Sequence, residues 1–229
     1  MQAELHKWGA SNQVLFDPGK ESFHILHRSF FHGENFKILG CIFDPQLRML
    51  AAAKHVATEA GWRLKTLMKG KRFFTTPELM RVYKAQILSF LESSTPALYN
   101  AAASILAWID RVQTRFLRDI GLSEIDALRN FRLAPLGSRR DMAMLAVLHK
   151  INLGMVPPQL QALFPQLGRV VEPLARHRLR YWRPLHTKQL ATHANFASSN
   201  VLQRALFRLV HCYNGLPQRL VDASSVKFF

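Results

Sequence analysis

The sequence is poor in cysteine and has no long apolar run. Its 229 residues include two cysteines, Cys41 and Cys212, which lie far apart in unrelated contexts. A disulfide framework is therefore not expected, and a reducing compartment, nuclear or cytoplasmic, fits better. No segment approaches the ~18 uncharged apolar residues that a membrane span requires, and the first ten residues lack the apolar region of a secretory signal. We therefore expect an intracellular protein without a membrane partner.

Acidic residues are also scarce. The sequence has 15 Asp and Glu against 31 Lys and Arg, which gives a net charge of +16 and a pI of about 10.6. Such a surface attracts polyanions, so nucleic acid is the expected partner. The alternative is a basic surface that serves only solubility. Because 48% of the residues are hydrophobic, the chain can bury a substantial core.

Several motifs of enzyme and metal sites are missing. The sequence contains no G-x-S-x-G, GxxxxGK[ST], GxGxxG or C-x-x-C pattern, and no two acidic residues are adjacent. Two-metal phosphoryl chemistry needs converging carboxylates, which this sequence does not supply. A metal site at His24, His27 and His32 would need a strand and a loop to converge, and no carboxylate or thiolate supports it, so we expect partly buried histidines there. No metal site and no cofactor are predicted for this chain.

Residues 1–45 predict a helix end followed by short strands. Residues 14–17 and 22–26 are expected to pair as a hairpin across a turn at 18–20, and residues 35–45 form a third strand. Gly40 would lie inside that strand, where glycine usually marks a close approach to the backbone. The alternative is a β-bulge that serves only the twist of the hairpin.

Beyond residue 45 the apolar period becomes helical. We expect helix starts at Thr76 and Ser138, the latter with Asp141 in a capping box, and a helix end at Gly121. The last third is basic and interrupted by proline. The predicted fold class is thus α+β and mainly α: a small antiparallel sheet at 1–45, a helical bundle at 46–155 and a basic segment at 156–229. The predicted apolar stripes are Leu47, Leu50, Ala53, Ala57, Ala60, Leu64 and Leu67; Met80, Tyr83, Ile87 and Leu91; and Ile105, Ile109, Val112, Phe116 and Ile120.

Basic and aromatic residues alternate between positions 62 and 84. The seven cations are Arg63, Lys65, Lys69, Lys71, Arg72, Arg81 and Lys84, and the aromatic residues are Trp62, Phe73, Phe74 and Tyr83. Cations neutralise phosphates and aromatic faces cover bases, so the mixture suits a nucleic-acid groove. The alternative is that the aromatic side chains belong to the core and the cations are solvent-exposed.

Six segments follow one another in a characteristic order. They are LHKWGASNQVLFDPGKESFHIL (5–26), FKILGCIFD (36–44), VYKAQILSFLESSTPALYNAA (82–102), VQTRFLRDIG (112–121), LAPLGSRRDMAML (133–145) and HCYNGLPQRLVDASSVKFF (211–229). Together they resemble the downstream half of a non-LTR (LINE-type) retrotransposon reverse transcriptase. The resemblance covers nearly the whole chain. It departs from the family at Asp17, where asparagine is common, and in the missing Asp-Asp turn.

The resemblance implies a palm remnant at 1–45, a thumb at 46–155 and a carboxyl-terminal segment. It implies that 36–42 form the primer grip, with Lys37, Leu39 and Gly40 against the primer backbone, and that Lys20 lies near the incoming nucleotide. The family uses Mg²⁺, but without the catalytic aspartates we expect binding of RNA–DNA hybrid or RNA without polymerisation. A partner could supply the upstream polymerase portion. The alternatives are a helical RNA-binding or ribonucleoprotein assembly protein unrelated to polymerases, and a helical protein–protein interaction module.

Overall fold

The computed structural model describes residues 2–17, 22, 24–26, 33–167, 186–192 and 200–224, which are mainly helical with one small antiparallel sheet. The predicted fold class is confirmed at that level. The strands are β1 (Phe36–Ile38) and β2 (Cys41–Phe43). The helices are α1 (Gln2–Ser11), α2 (Leu50–Lys69), α3 (Thr76–Tyr83), α4 (Ser89–Ser93), α5 (Thr95–Leu98), α6 (Ala103–Ile120), α7 (Glu124–Phe131), α8 (Leu136–Asn152), α9 (Pro158–Ala162), α10 (Asn200–Arg204), α11 (Val210–Asn214) and α12 (Gln218–Val221).

The hairpin of β1 and β2 turns at Leu39 and Gly40. Both residues have positive φ, 49° and 84°, and the register pairs Ile38 with Cys41. A two-residue hairpin loop of this kind requires left-handed backbone at both positions, which glycine adopts without strain. A Cβ on Gly40 would meet nothing within 4 Å. The prediction that Gly40 lies inside a strand is therefore wrong, because the turn conformation explains the glycine. The hairpin that the resemblance implies at 36–42 is present.

The segment after α1 folds back on that helix instead of forming a strand. The Val14 amide donates to the Gly9 carbonyl at 2.8 Å, and the Phe16 ring lies against Gly9 so closely that a Cβ there would clash. Residues 14–17, 22 and 24–26 are not in strands. The predicted hairpin of 14–17 with 22–26 is therefore wrong for these residues, and the turn at 18–20 lies outside the described part of the chain.

The first core forms around α2 and α6. Asp44 holds the start of α2, because its carboxylate accepts hydrogen bonds from the amides of Gln46, Arg48 and Met49. This turn buries Met49, whereas Leu47 and Leu50 are 36% and 48% exposed, so the predicted stripe of α2 is wrong at its first two positions. Along α2 the buried residues are Ala52, Ala53, Val56, Ala60 and Leu64. The strand residues Cys41, Ile42 and Phe43 pack against the same core.

Helix α3 begins one residue earlier than predicted. The N-cap is Thr75, whose amide and hydroxyl donate to the Glu78 carboxylate in a capping box. A π-helical turn, Lys84–Leu88, connects α3 to α4. The predicted stripe along α3, the π-helical turn and α4 is confirmed, since Met80, Tyr83, Ile87 and Leu91 are all buried. The Tyr83 ring stacks on Phe116 of α6 at 4.0 Å between centroids.

The predicted end of α6 at Gly121 is confirmed, whereas the predicted start of α8 is wrong. Gly121 follows α6 in left-handed conformation. Helix α8 starts at Leu136, after Pro135, so Ser138 lies within its first turn. Asp141 is not part of a capping box. Its carboxylate accepts hydrogen bonds from Tyr99 at 2.7 Å and from Arg208 at 2.5 Å.

A second core lies between α8 and the carboxyl-terminal residues. It includes Leu148, Phe164, Leu190, Val210 and Tyr213, all nearly inaccessible to solvent. The described residues 186–192 and 204–224 thus contribute to a buried core rather than forming a solvated tail. Across the described ranges, no helix is both long and apolar enough to cross a membrane.

Candidate nucleic-acid interface

The carboxyl-terminal half of α2 exposes one aromatic and two basic residues along its outer face. Trp62, Lys65 and Lys69 follow each other at helical spacing and are all exposed, Trp62 by 61%. The Lys65 ammonium lies 5.0 Å from the centroid of the Trp62 ring. This face therefore combines an accessible π surface with positive charge.

The loop after α2 continues this surface. Lys71–Phe73 form a 3-10 turn that leaves Phe73 72% exposed, with the Arg72 guanidinium 4.7 Å from the centroid of its ring. Phe74 is 43% exposed and its ring lies beside Gly70. The interpretation that the aromatic residues of this stretch belong to the core is thus wrong for Trp62, Phe73 and Phe74. It is right for Tyr83, which is buried, and burial raises the pKa of its hydroxyl.

The end of α6 contributes two more cations. The Lys71 ammonium donates to the Asp119 carbonyl, so the loop is attached to the last turn of α6. Arg115 and Arg118 each approach the Asp119 carboxylate at 3.6 Å and remain 61% and 75% exposed. A shallow groove of about 240 Å³ separates Lys65 and Lys69 from Arg115. We call this set the basic–aromatic surface: Trp62, Lys65, Lys69, Lys71, Arg72, Phe73, Arg115 and Arg118.

The charges of this surface are only partly compensated. The surface has six cations, and the Asp119 carboxylate lies within 3.6 Å of two of them, Arg115 and Arg118. Cations at the ends of α2 and α6 also oppose the negative ends of the helix dipoles, so they stabilise these helices whether or not a ligand binds. The negative charge of one carboxylate and of two helix ends compensates only part of the six cations, so the surface remains strongly positive. Helix stabilisation also does not explain the exposed aromatic rings.

A second and larger groove lies beside Trp62. It has a volume of about 440 Å³ and separates α2 from α3 and the π-helical turn. Trp62 and Thr66 form one wall, and Val82, Gln86 and Ile87 form the other. The groove is open to solvent beside the exposed ring of Trp62.

Besides Lys71, two more of the predicted nucleic-acid contacts are engaged within the protein. Arg63 pairs with Glu59 at 3.2 Å, donates to the Gln86 carbonyl at 3.2 Å and lies over the Phe90 ring at 4.0 Å. Lys84 donates to the carbonyl of Phe131, the last residue of α7. Both residues therefore join helices. Arg81 is exposed on α3 and is not among the residues that define the basic–aromatic surface.

The predicted primer-grip residues are exposed on the hairpin. Lys37 lies in β1 and Leu39 and Gly40 form the turn, with Leu39 fully accessible. The hairpin is joined through Asp44 to the amino-terminal end of α2, whereas the basic–aromatic surface lies at the carboxyl-terminal half. Lys20 lies outside the described residues.

Arg115 and Arg118 belong to the surface although they are absent from the predicted set. Both lie off the apolar stripe of α6, and that position was the signal available in the sequence. Among the residues that the structure describes, no group of three or more His, Cys, Asp or Glu side chains could hold a metal ion. In comparisons with known proteins, no family model matches the chain, and no curated protein or solved structure matches it significantly.

Proposed function

We propose that this chain binds nucleic acid through the basic–aromatic surface, as the downstream part of a non-LTR retrotransposon-type reverse transcriptase. In this proposal α2 to α8 correspond to a thumb that holds RNA–DNA hybrid or RNA. The hairpin corresponds to the primer grip. The family assignment rests on the sequence motifs, and the binding surface rests on the geometry of α2, its following loop and α6.

The observation that carries the proposal is the exposure of Trp62 and Phe73 among cations. Exposing an aromatic ring forfeits the burial that would otherwise stabilise the fold by about 1.5–3 kcal/mol per large side chain. Here two exposed rings lie beside Lys65 and Arg72. Basic grooves with accessible aromatic faces are typical of proteins that bind nucleic acid.

The chain itself is not expected to polymerise. Its 229 residues contain no adjacent pair of acidic residues to hold two metal ions. By family analogy Lys20 would lie near the phosphates of an incoming nucleotide, but it has no metal-holding aspartates to assist. With template, primer, dNTPs and Mg²⁺ or Mn²⁺, primer extension should stay at background. Extension that one carboxylate substitution abolishes would refute this part of the proposal.

The binding itself can be tested with two variants of equal charge. The first changes Lys69, Lys71 and Arg72 to Gln; the control changes the exposed residues Lys7, Arg129 and Lys150 to Gln. Both lose three positive charges, but only the first set lies on the basic–aromatic surface. At constant moderate salt we expect the first variant to bind a labelled RNA–DNA hybrid at least about tenfold more weakly than the control. Equal affinities would place the binding surface elsewhere, and no binding by the unchanged protein would refute the proposal.

A second candidate function is an RNA-binding or ribonucleoprotein assembly protein unrelated to polymerases. It is favoured by the packing of Cys41, Ile42 and Phe43 on the first core, because the hairpin then has an apolar cover within this chain. The two functions share the basic–aromatic surface and differ in the role of the hairpin. Replacing Lys37 by Gln should weaken hybrid binding only if the hairpin contacts a primer.

A further inference from the structure

We propose that Trp62 and the 440 Å³ groove beside it form a stacking site for an unpaired nucleobase, so that single-stranded nucleic acid is a ligand of the basic–aromatic surface. This inference rests on the proposed nucleic-acid binding and specifies the form of the ligand. The ligand is an unstacked base of a single strand. A paired duplex has no such base, because the faces of its bases are already stacked on their neighbours.

The groove has the composition that a nucleobase requires. Its inner wall is apolar, with Ile87 buried and Val82 half-buried, whereas Thr66 and Gln86 at its edge are exposed and polar. A nucleobase likewise has apolar faces and a polar edge. Lys65 covers part of the Trp62 ring at 5.0 Å, and the ring also lines the groove. A base in the groove would therefore meet an aromatic side chain that carries a cation beside it.

The charges around Trp62 are arranged on one side. Lys65 and Lys69 are one helical turn apart on α2, about 5–6 Å between Cβ atoms, so that they can follow consecutive phosphates. Arg72 and the exposed Phe73 lie beyond them in the following loop. The carboxylate of Glu59, about one helical turn before Trp62 on α2, also lines the groove and is paired with Arg63 at 3.2 Å. A strand stacked on Trp62 would thus run towards the loop and away from the negative charge.

The test compares aromatic and non-aromatic side chains at position 62. The probes are a short labelled oligouridine, an oligothymidine and an RNA–DNA hybrid of the same length, measured by fluorescence anisotropy. We expect Trp62→Leu and Trp62→Ala to weaken binding of both single strands by roughly 5- to 150-fold, the range for loss of one base stack, and Trp62→Phe to retain most of the affinity. Binding of the hybrid, whose bases are already paired and stacked, should fall clearly less than binding of the single strands. The control is Trp8→Ala, because Trp8 is 58% exposed on α1 and should have no effect.

The outcomes separate this inference from the function on which it rests. If the variant at Lys69, Lys71 and Arg72 loses affinity but Trp62→Leu binds single strands normally, the stacking site is refuted and the proposed function stands. Equal losses on single strands and hybrid at position 62 would also refute it. If the unchanged protein binds none of the three probes, both fail. The affinities for oligouridine and oligothymidine are then compared, and the strand that binds more tightly shows whether RNA or DNA is the preferred ligand.

Discussion

Removing a single hydroxyl group in Tyr213→Phe tests how the carboxyl-terminal residues are held on α8. The Tyr213 side chain is buried, and its oxygen lies 3.1 Å from Nδ1 of His149 and 3.0 Å from Nδ2 of Asn152. Nε2 of His149 faces the Ala223 carbonyl at 2.8 Å. A carbonyl can only accept, so Nε2 carries a proton, and in the neutral ring Nδ1 accepts from the Tyr213 hydroxyl.

The magnitude follows from what the variant leaves behind. Phenylalanine keeps the ring and its packing but removes the donor to His149 and the acceptor for Asn152. Loss of a hydrogen bond that leaves a buried partner unsatisfied costs about 1–3 kcal/mol, so the two losses should lower the free energy of unfolding by about 2–6 kcal/mol. Urea denaturation followed by circular dichroism measures this change. Asn152→Ala and the double variant complete a cycle, in which the two effects should be coupled by at least about 0.5 kcal/mol.

A loss below about 0.5 kcal/mol in Tyr213→Phe would refute the reasoning, since surface substitutions have effects of that size. It would mean that the second core is not closed by this network. Additive effects in the cycle would show that Asn152 and Tyr213 act independently. Either result would contradict the described packing of residues 204–224 on α8.

Three further substitutions test separate parts of the fold by denaturation. Gly40→Ala should cost about 1 kcal/mol, because the left-handed turn rather than lack of space requires glycine, and a neutral result would contradict the turn. Phe116→Ala should cost about 3–5 kcal/mol by removing the ring stacked on Tyr83, and a loss under 1 kcal/mol would show that the first core is loosely packed. Hydrogen bonds from Thr75 lower the pKa of Glu78 below its usual value, so the stability from its capping box is fully present above the usual glutamate pKa and is lost as the pH falls through the lowered pKa. Glu78→Gln should remove this part of the acid dependence, and an unchanged pH profile would contradict the box.

Helical periodicity predicts the core where helices bury one regular face. Met80, Tyr83, Ile87 and Leu91 are all buried, although a π-helical turn lies between α3 and α4. The same argument fails at Leu50, because Asp44 turns the chain so that Met49 faces the core. The start of a helix depends on such capping contacts, which the apolar period does not contain.

The candidate site was predictable in composition but not in detail. Alternation of cations and aromatic residues indicates a possible surface, yet it cannot tell an exposed Trp62 from a buried Tyr83, since both lie on helices. Arg63 and Lys84 have the same charge as Lys69, but carbonyls of Gln86 and Phe131 engage them. Such partners are set by tertiary packing. The prediction that Gly40 lies inside a strand was wrong because a continuous strand and a two-residue hairpin turn have the same apolar flanking residues.

The salt dependence of hybrid binding tests the central claim most directly. The logarithm of the association constant should fall linearly with the logarithm of salt concentration, by about 0.7–0.9 per phosphate contact. The variant in which Lys69, Lys71 and Arg72 are Gln should have a slope smaller in magnitude by roughly 2–3, one increment for each lost contact. The charge-matched variant at Lys7, Arg129 and Lys150 should keep the slope of the unchanged protein. Equal slopes in all three proteins would contradict the claim that these cations contact phosphates.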